Sequence, residues 1–254
     1  MKDPVDKISR LILVVLEFCT LGMFIITLRD KRYFDVFLCV CTSILLTFPL
    51  LISSKSKMYL PGLFRTILYF FIFNSIIMGE VNGLFVKVEN WDNLQHFTSA
   101  FILTAFFLYY LEGKLDPKEN KLSNLFMSFL TFSVVMLIGV LWEFIEYGAD
   151  VTFKTDMQKD YIINEIHSAT PDKEGKRINA TGIYKTALYD KDGKLIKTIE
   201  GGYLDVGIKD TMKDFFVNGL GSLAFLLLVM SGNKKQNDNK IANLFSPKRK
   251  KISN

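Results

Sequence analysis

Six apolar blocks, parted by charged connectors, constrain this 254-residue chain more than any other feature of it. They run over 11–28, 34–53, 63–79, about 94–111, 125–142 and 215–230. A helix rises about 1.5 Å per residue, so some 20 apolar residues cross a hydrocarbon layer about 30 Å thick. The expected fold class is an all-α polytopic membrane protein, six transmembrane helices with a small loop insertion that contains a β-hairpin. The fourth and sixth blocks are short, which places their polar neighbours at or just inside a membrane boundary. Half of the residues are hydrophobic and only 22% charged, which excludes a disordered chain. Cys19, Cys39 and Cys41 all lie inside apolar blocks and read as small hydrophobes rather than a disulfide framework. Lys2, Lys7 and Arg10 precede the first block as in a signal peptide, but Arg29-Asp-Lys-Arg32 follows it where a cleavage site would stand. It is expected to remain as a helix.

The domain organisation follows: transmembrane helices one to five with short loops over 1–150, an extracytoplasmic loop over 151–209, helix six over 210–231, and a basic tail over 232–254. An even number of spans leaves both termini on one side. Lys55, Lys57, Lys114, Lys118 and Lys121 fall on that side, as do Lys234, Lys235, Lys240, Lys248, Arg249, Lys250 and Lys251 against the single acid Asp238. The charge rule makes that side cytoplasmic, in a multi-pass protein of a bacterial cell membrane. Arg29, Lys31 and Arg32 count against the assignment. The tail marks topology and contact with anionic membrane lipids; with no basic face on a folded module, nucleic acid is not an expected partner.

Within the long loop, 182–207 reads as a hairpin. Tyr184, Ala187 and Tyr189 on one arm and Leu195, Ile196 and Ile199 on the other flank the turn pair Asp192-Gly193. The stretch before it, 167–182, reads as turn-rich, with Pro171, Gly175 and Gly182. His167 is expected to be exposed, and the Asn179-Ala-Thr181 pattern carries little weight.

Antiparallel threading brings the acid-rich ends of four blocks to one side. Block three ends at Glu80, and block four opens with Asp92 and His96, four residues apart on one helix face. Block five closes with Glu143, Glu146 and Asp150 in a single stripe, and block six is preceded by Asp205, Asp210 and Asp214, with Asn218 one turn further in. Ionisable residues at a membrane boundary are costly, and they usually face the bundle interior, paired or metal-bound. A shared carboxylate pocket with one imidazole suits Mg or Mn if oxygen-dominated, Zn or Fe if His96 joins. A cation would also let several carboxylates stay ionised together. Capping is the alternative: Asp92 or Asn93 for block four, Asp210 or Thr211 for block six. Glu143 and Glu146 sit at a helix C-terminus, where negative charge is unfavourable and a compensating cation or ligand is expected. Trp91 and Trp142 read as interfacial anchors, Gly219 and Gly221 as close-packing positions, and Glu17 as a residue that pairs across helices.

The segments WDNLQHF (91–97), WEFIEYGAD (142–150) and DVGIKDTMKDFFVNGLG (205–221) resemble a family of bacterial inner-membrane proteins typified by YjdF (DUF2238-like). More loosely, they resemble the VanZ-like membrane proteins. The family pattern has an Asp-x-x-x-His, a Trp-Glu-x-x-Glu and an Asp-x-x-x-Asp-x-x-x-Asn, matched here by Asp92 and His96, by Glu143 and Glu146, and by Asp210, Asp214 and Asn218. The resemblance spans roughly 80–221. This chain departs from it by a long 151–204 segment where a shorter Gln-containing stretch is usual. The family supplies no established reaction.

The residues themselves suggest a metal-dependent hydrolase or transferase, acting on a lipid-linked or amphiphilic phosphosubstrate at the extracytoplasmic face. Glu143, Glu146, Asp210 and Asp214 are the expected ligands of a divalent metal, and His96 the acid/base oriented by Asp92. Glu80, Asp150, Asp205 and Asn218 are further candidates. A cation- or proton-coupled transporter or lipid-binding protein is the alternative, and a structural or regulatory cell-envelope protein the third.

Overall fold

A computed structural model describes residues 4–55, 58–114, 124–171, 174, 176–231, 244 and 247–249. Lys57, Lys118, Lys121 and most of the basic tail lie outside them. The helices are α1 (Pro4–Arg29), α2 (Tyr33–Lys55), α3 (Gly62–Phe73), the single turn α4 (Leu84–Lys87), α5 (Trp91–Lys114), α6 (Asn124–Phe153) and α7 (Ile208–Met230). Six are long and apolar enough to cross a membrane. The protein is a mostly helical, multi-pass membrane protein. Two compact units divide the chain, 1–139 with 216–254 and 140–215, and both α6 and α7 run through the division.

In the first unit α1, α2, α3 and α5, with the first part of α6 and most of α7, form the bundle. One core gathers Phe64, Ile102, Leu108, Met127 and Phe225. The Phe101 and Phe225 rings meet edge to face at 5.1 Å. Gly221 has no side chain where a Cβ would collide with the Phe97 carbonyl, so α5 and α7 approach closely and the Thr104 and Ser222 hydroxyls bond at 2.8 Å. Gly219, by contrast, only meets the tips of Met136 and Phe132.

At one end of this bundle Asp6 accepts from Tyr59 at 3.0 Å and pairs with the buried Arg65 at 2.7 Å. The strand β1 (Met58–Tyr59) pairs there with β8 (Lys248–Arg249), so the beginning and end of the chain share that end, as an even number of spans requires. At the other end Arg32 donates to the Val81 carbonyl at 2.7 Å. Its charge, awkward for the topology, is used to cap a helix C-terminus.

The third span contains a feature that hydropathy does not signal. After Phe73 the helix widens into a π-helix over Asn74–Val81. Gly79 leaves room for the Phe85 ring, the Ser75 hydroxyl bonds Phe71 O at 2.8 Å, and the Asn82 amide bonds Ile77 O at 2.8 Å. Side-chain donors thus add a second bond to carbonyls that the backbone of the widened stretch already engages.

The second unit consists of the end of α6, the loop strands and the first turns of α7. WEFIEYGAD stays helical, and α6 stops where Lys154 turns left-handed at φ 58°. β5 (Lys185–Tyr189) and β6 (Leu195–Glu200) form the hairpin expected around Asp192-Gly193, with Gly193 at φ 79°. The stretch read as turn-rich is a second hairpin, β3 (Glu165–Pro171) against β4 (Arg177–Thr181), with an irregularity between Ser168 and Pro171. Its extended residues Ile166, Ile178 and Thr181 are outnumbered in sequence by the turn formers around them. At the base of both hairpins β2 (Ile162–Ile163) pairs with β7 (Tyr203–Leu204).

Candidate functional site

The acids of the second unit come from two helices. Glu143 and Glu146 project from α6, one turn apart; Asp210 and Asp214 project from the first two turns of α7, also one turn apart. All four are buried, down to 1% exposure for Asp214. One carboxylate oxygen from each of Glu143, Glu146 and Asp214 lies within 4.8 Å of the others, and Asp210 offers one within the same distance of Asp214. At an effective dielectric of about 20, two full charges that close repel by roughly 3.5 kcal/mol. Protons or a cation must therefore offset them.

Neutral partners fix the orientation of this group. The Thr211 hydroxyl donates to Glu143 Oε2 at 2.9 Å, while the Gln158 amide reaches Glu143 Oε2 at 3.2 Å and Thr211 Oγ1 at 2.8 Å. The Trp142 indole N–H donates to Glu146 Oε1 at 2.8 Å, so this side chain, expected as an interfacial anchor, also holds a carboxylate. Asp210 accepts the Lys159 backbone N–H at 3.0 Å.

The loop is brought to the acids by two further carboxylates. Asp150 accepts from Thr155 Oγ1, Met157 N and Gln158 N at 2.7, 2.7 and 2.9 Å, and so folds the exit of α6 back on itself. Asp205 accepts from Tyr161 N and Lys209 N, both at 2.8 Å, and caps the start of α7. Gly207 takes φ 81°, and a Cβ there would come within 2.8 Å of Gln158 Cβ. Only glycine lets the Gln158 backbone in at that point. Lys213 donates to the Tyr161 hydroxyl at 3.0 Å, and the Lys209 and Lys213 ammonium groups stand 5.0 and 5.3 Å from that ring.

The bundle unit contributes His96 and its partners. His96 is 7% exposed, and its Nε2 lies 3.5 Å from Asp92 Oδ1. Its Nδ1 is 3.4 Å from the Asn218 amide nitrogen. Asp92 thus faces one ring nitrogen and the Asn218 amide the other. Gly139 is what gives Asn218 its place, since a Cβ there would lie 2.9 Å from the amide. Beside His96, the side-chain amide of the buried Gln95 bonds the Ser75 hydroxyl of the π-helix at 2.9 Å.

Asp210, Asp214 and Asn218 step by four along α7, as the sequence spacing requires. Glu80, read from the sequence as part of the pocket, is exposed at the last turn of the π-helix. Its position just before a break in the helix turns it to the surface. Asp150 and Asp205 shape the loop rather than join the carboxylate group. Gln95 carries no signal in the sequence that marks it as a site residue, Thr211 reads there only as a helix cap, and the long 151–204 segment obscures the match of Gln158 to the usual Gln of the resembling family.

Residues 10–235 match the model of a family described as predicted membrane protein (DUF2238). An uncharacterized protein of Thermotoga maritima is 30% identical over 79 residues, which is 31% of this chain and 40% of the relative. The aligned part thus covers less than half of that relative's length. No solved structure matches.

Proposed function

We propose that this chain, which belongs to the DUF2238 family of predicted membrane proteins matched over residues 10–235, is a membrane-embedded, metal-dependent hydrolase or transferase acting on a lipid-linked or amphiphilic phosphosubstrate at the extracytoplasmic face. One observation carries the proposal: the convergence of Glu143, Glu146 and Asp214 oxygens within 4.8 Å, in a buried setting already tied down by Thr211, Gln158 and Trp142. Oxygen atoms that close can share one ion at the 2.0–2.6 Å bond lengths of Mg, Mn or Ca. In this proposal Glu143, Glu146, Asp210 and Asp214 hold the ion; Zn or Fe would be preferred if His96 were also a ligand. A bound divalent ion would neutralise phosphate charge and acidify a water.

The remaining tasks fall to the chain. Lys209 and Lys213, ordered on Tyr161, supply cationic groups for a phosphate. Gln158 and Thr211 keep Glu143 in one rotamer by sharing its Oε2. His96, with Asp92 on one ring nitrogen and Asn218 on the other, is the proposed acid/base.

Elemental analysis of the purified protein tests this, wild type beside Glu143→Gln. Bound divalent metal should fall tenfold or more in the variant. Added Mg, Mn or Zn should raise the melting temperature of wild type only. Metal-free wild type, with stability unmoved by those ions, would sink the proposal. A His96→Ala variant that keeps its metal but loses turnover marks an acid/base; loss of metal marks a ligand. The proposed orientation has its own test. A reporter at Lys191 should be accessible from outside, and one after Asn254 should not.

A transport reading is favoured by one observation of its own. The π-helix and its Ser75–Gln95 bond put polar groups inside the third and fourth spans, beside a cavity of about 200 Å³ lined by Asn74, Gln95 and Thr98. Such widened turns are frequent at functional sites. Ion flux through reconstituted vesicles, abolished by Gln95→Leu, would favour this reading over hydrolysis.

A further inference from the structure

A second cavity is far from these acids in sequence. It is a groove of about 620 Å³ between α1 and α2, lined by Phe18, Leu21, Val40 and Ile44 around Glu17 and Ser43. We propose that this groove binds an amphiphile with a long apolar body and one neutral hydrogen-bond donor, a hydroxyl, which bonds to Glu17. The volume falls in the range of small-molecule sites, and so does the lining, apolar with very few polar groups.

The carboxyl is half satisfied. Ser43 Oγ lies 2.5 Å from Glu17 Oε2, and this bond across the helices uses the one hydroxyl proton Ser43 has. Oε1 is buried and has no hydrogen-bond partner among the described residues. Thr20 also lines the groove, but its hydroxyl donates to Leu16 O at 2.9 Å and is already committed. Oε1 is closed in by its neighbours as the side chain stands. A small turn of the Glu17 side chain into the groove is what brings it to a donor carried by the occupant, a turn favoured because a buried acceptor left alone is costly.

Depth narrows the chemistry. Glu17 lies near the middle of α1, roughly 20 Å of helix from either end. An occupant arrives there sideways through the hydrocarbon, not from water. An ammonium would have to leave its hydration behind at that depth, while a hydroxyl loses far less. A plain acyl tail fills the volume but offers nothing to Oε1. A lipid alcohol meets both demands.

Full-length protein in nanodiscs, irradiated with a diazirine-bearing long-chain primary alcohol and mapped by mass spectrometry, tests the proposal. The matching diazirine alkane serves as control. In wild type the alcohol should label α1 and α2 more than the alkane does. Glu17→Leu should lower alcohol labelling roughly three- to tenfold, the worth of one hydrogen bond, and leave alkane labelling unchanged. Val40→Trp, which fills the groove and spares Glu17 and Ser43, should lower it at least as far. That variant carries the test if Glu17→Leu does not fold. Equal labelling by alcohol and alkane would mean an acyl chain covers the groove, and cross-linking of α1 to a second copy or another helix would mean a protein covers it. Either result overturns the proposal, as does alcohol labelling indifferent to both substitutions.

Discussion

The bundle and the 140–215 unit solve the same problem, polar groups out of water, by opposite means. In the bundle many of the polar groups are hydroxyls, and four buried threonines are satisfied by their own helices: Thr20 by Leu16 O, Thr42 by Leu38 O, Thr104 by Ala100 O, Thr131 by Met127 O. A hydroxyl can donate, and a helix carbonyl has a spare lone pair four residues back. A carboxylate can only accept, and the interior of a helix has no free N–H to offer it. Asp150, Asp205 and Asp210 therefore sit at or beside helix ends, where loop N–H groups come to them: Met157 and Gln158 to Asp150, Lys159 to Asp210, Tyr161 to Asp205. An acid at a helix end recruits a loop, and a threonine inside a helix does not.

This contrast can be broken at Asp150. Asp150→Ala strips three hydrogen bonds from the loop and should cost about 2–4 kcal/mol. Limited proteolysis should then open 154–207 while the spans stay protected. If the spans open together with the loop, the two units are one cooperative body and the contrast fails. Gly207→Ala comes next. The strained φ and the collision with Gln158 should cost about 1–3 kcal/mol and detach Gln158 from Glu143. A crystal or cryo-electron structure with Gln158 still in place would refute this. On the bundle side, Thr20→Val should cost less than about 1 kcal/mol, because Leu16 O keeps its backbone partner. A drop in melting temperature as large as that of Asp150→Ala would show that hydroxyls are not self-sufficient there.

The smallest effect is a pH effect. Asp160 in the loop has its carboxyl pushed above the usual aspartate range, by partial desolvation and then by the carboxylates of Asp156, Asp205 and Asp150. Its folded form holds the proton more tightly than its unfolded form does. Its favourable contribution is thus fully present below pH about 4 and lost as pH rises through the raised value. Asp160→Asn should therefore raise stability slightly at pH 7, by well under ~1 kcal/mol in this exposed and screened position, and not at pH 3. A gain that persists at pH 3 would mean the effect is not the charge.

The fold could be read from the sequence because hydrophobic length is a one-dimensional signal: six blocks gave six spans, and Asp192-Gly193 gave its hairpin. The π-helix could not, since it depends on Gly79 making room for one particular ring. The carboxylates Glu143, Glu146, Asp210 and Asp214 were visible as stripes at helix ends, and the pairing of Asp92 with His96 follows from their spacing. Gln158 was not visible as a partner of Glu143, because fifteen positions of chain, a left-handed residue and the turn held by Asp150 lie between them. Glu80 was misjudged because proximity to a span end says nothing of which way a side chain turns once the helix winding changes.

The two-residue ladder of Ile162–Ile163 with Tyr203–Leu204 has a consequence for how this protein can be handled and how it can diverge. It closes the base of the insert like a drawstring, so Gln158, Tyr161, Asp205 and Gly207 all lie outside the closed neck. What lies beyond the neck, the two hairpins, is freight. Shortening it, lengthening it, or grafting a rigid fusion partner at Asp192-Gly193 as a fiducial for imaging leaves the neck and the acids untouched. Insertions and deletions at the hairpin tips should likewise leave the anchoring residues on either side of the neck in register.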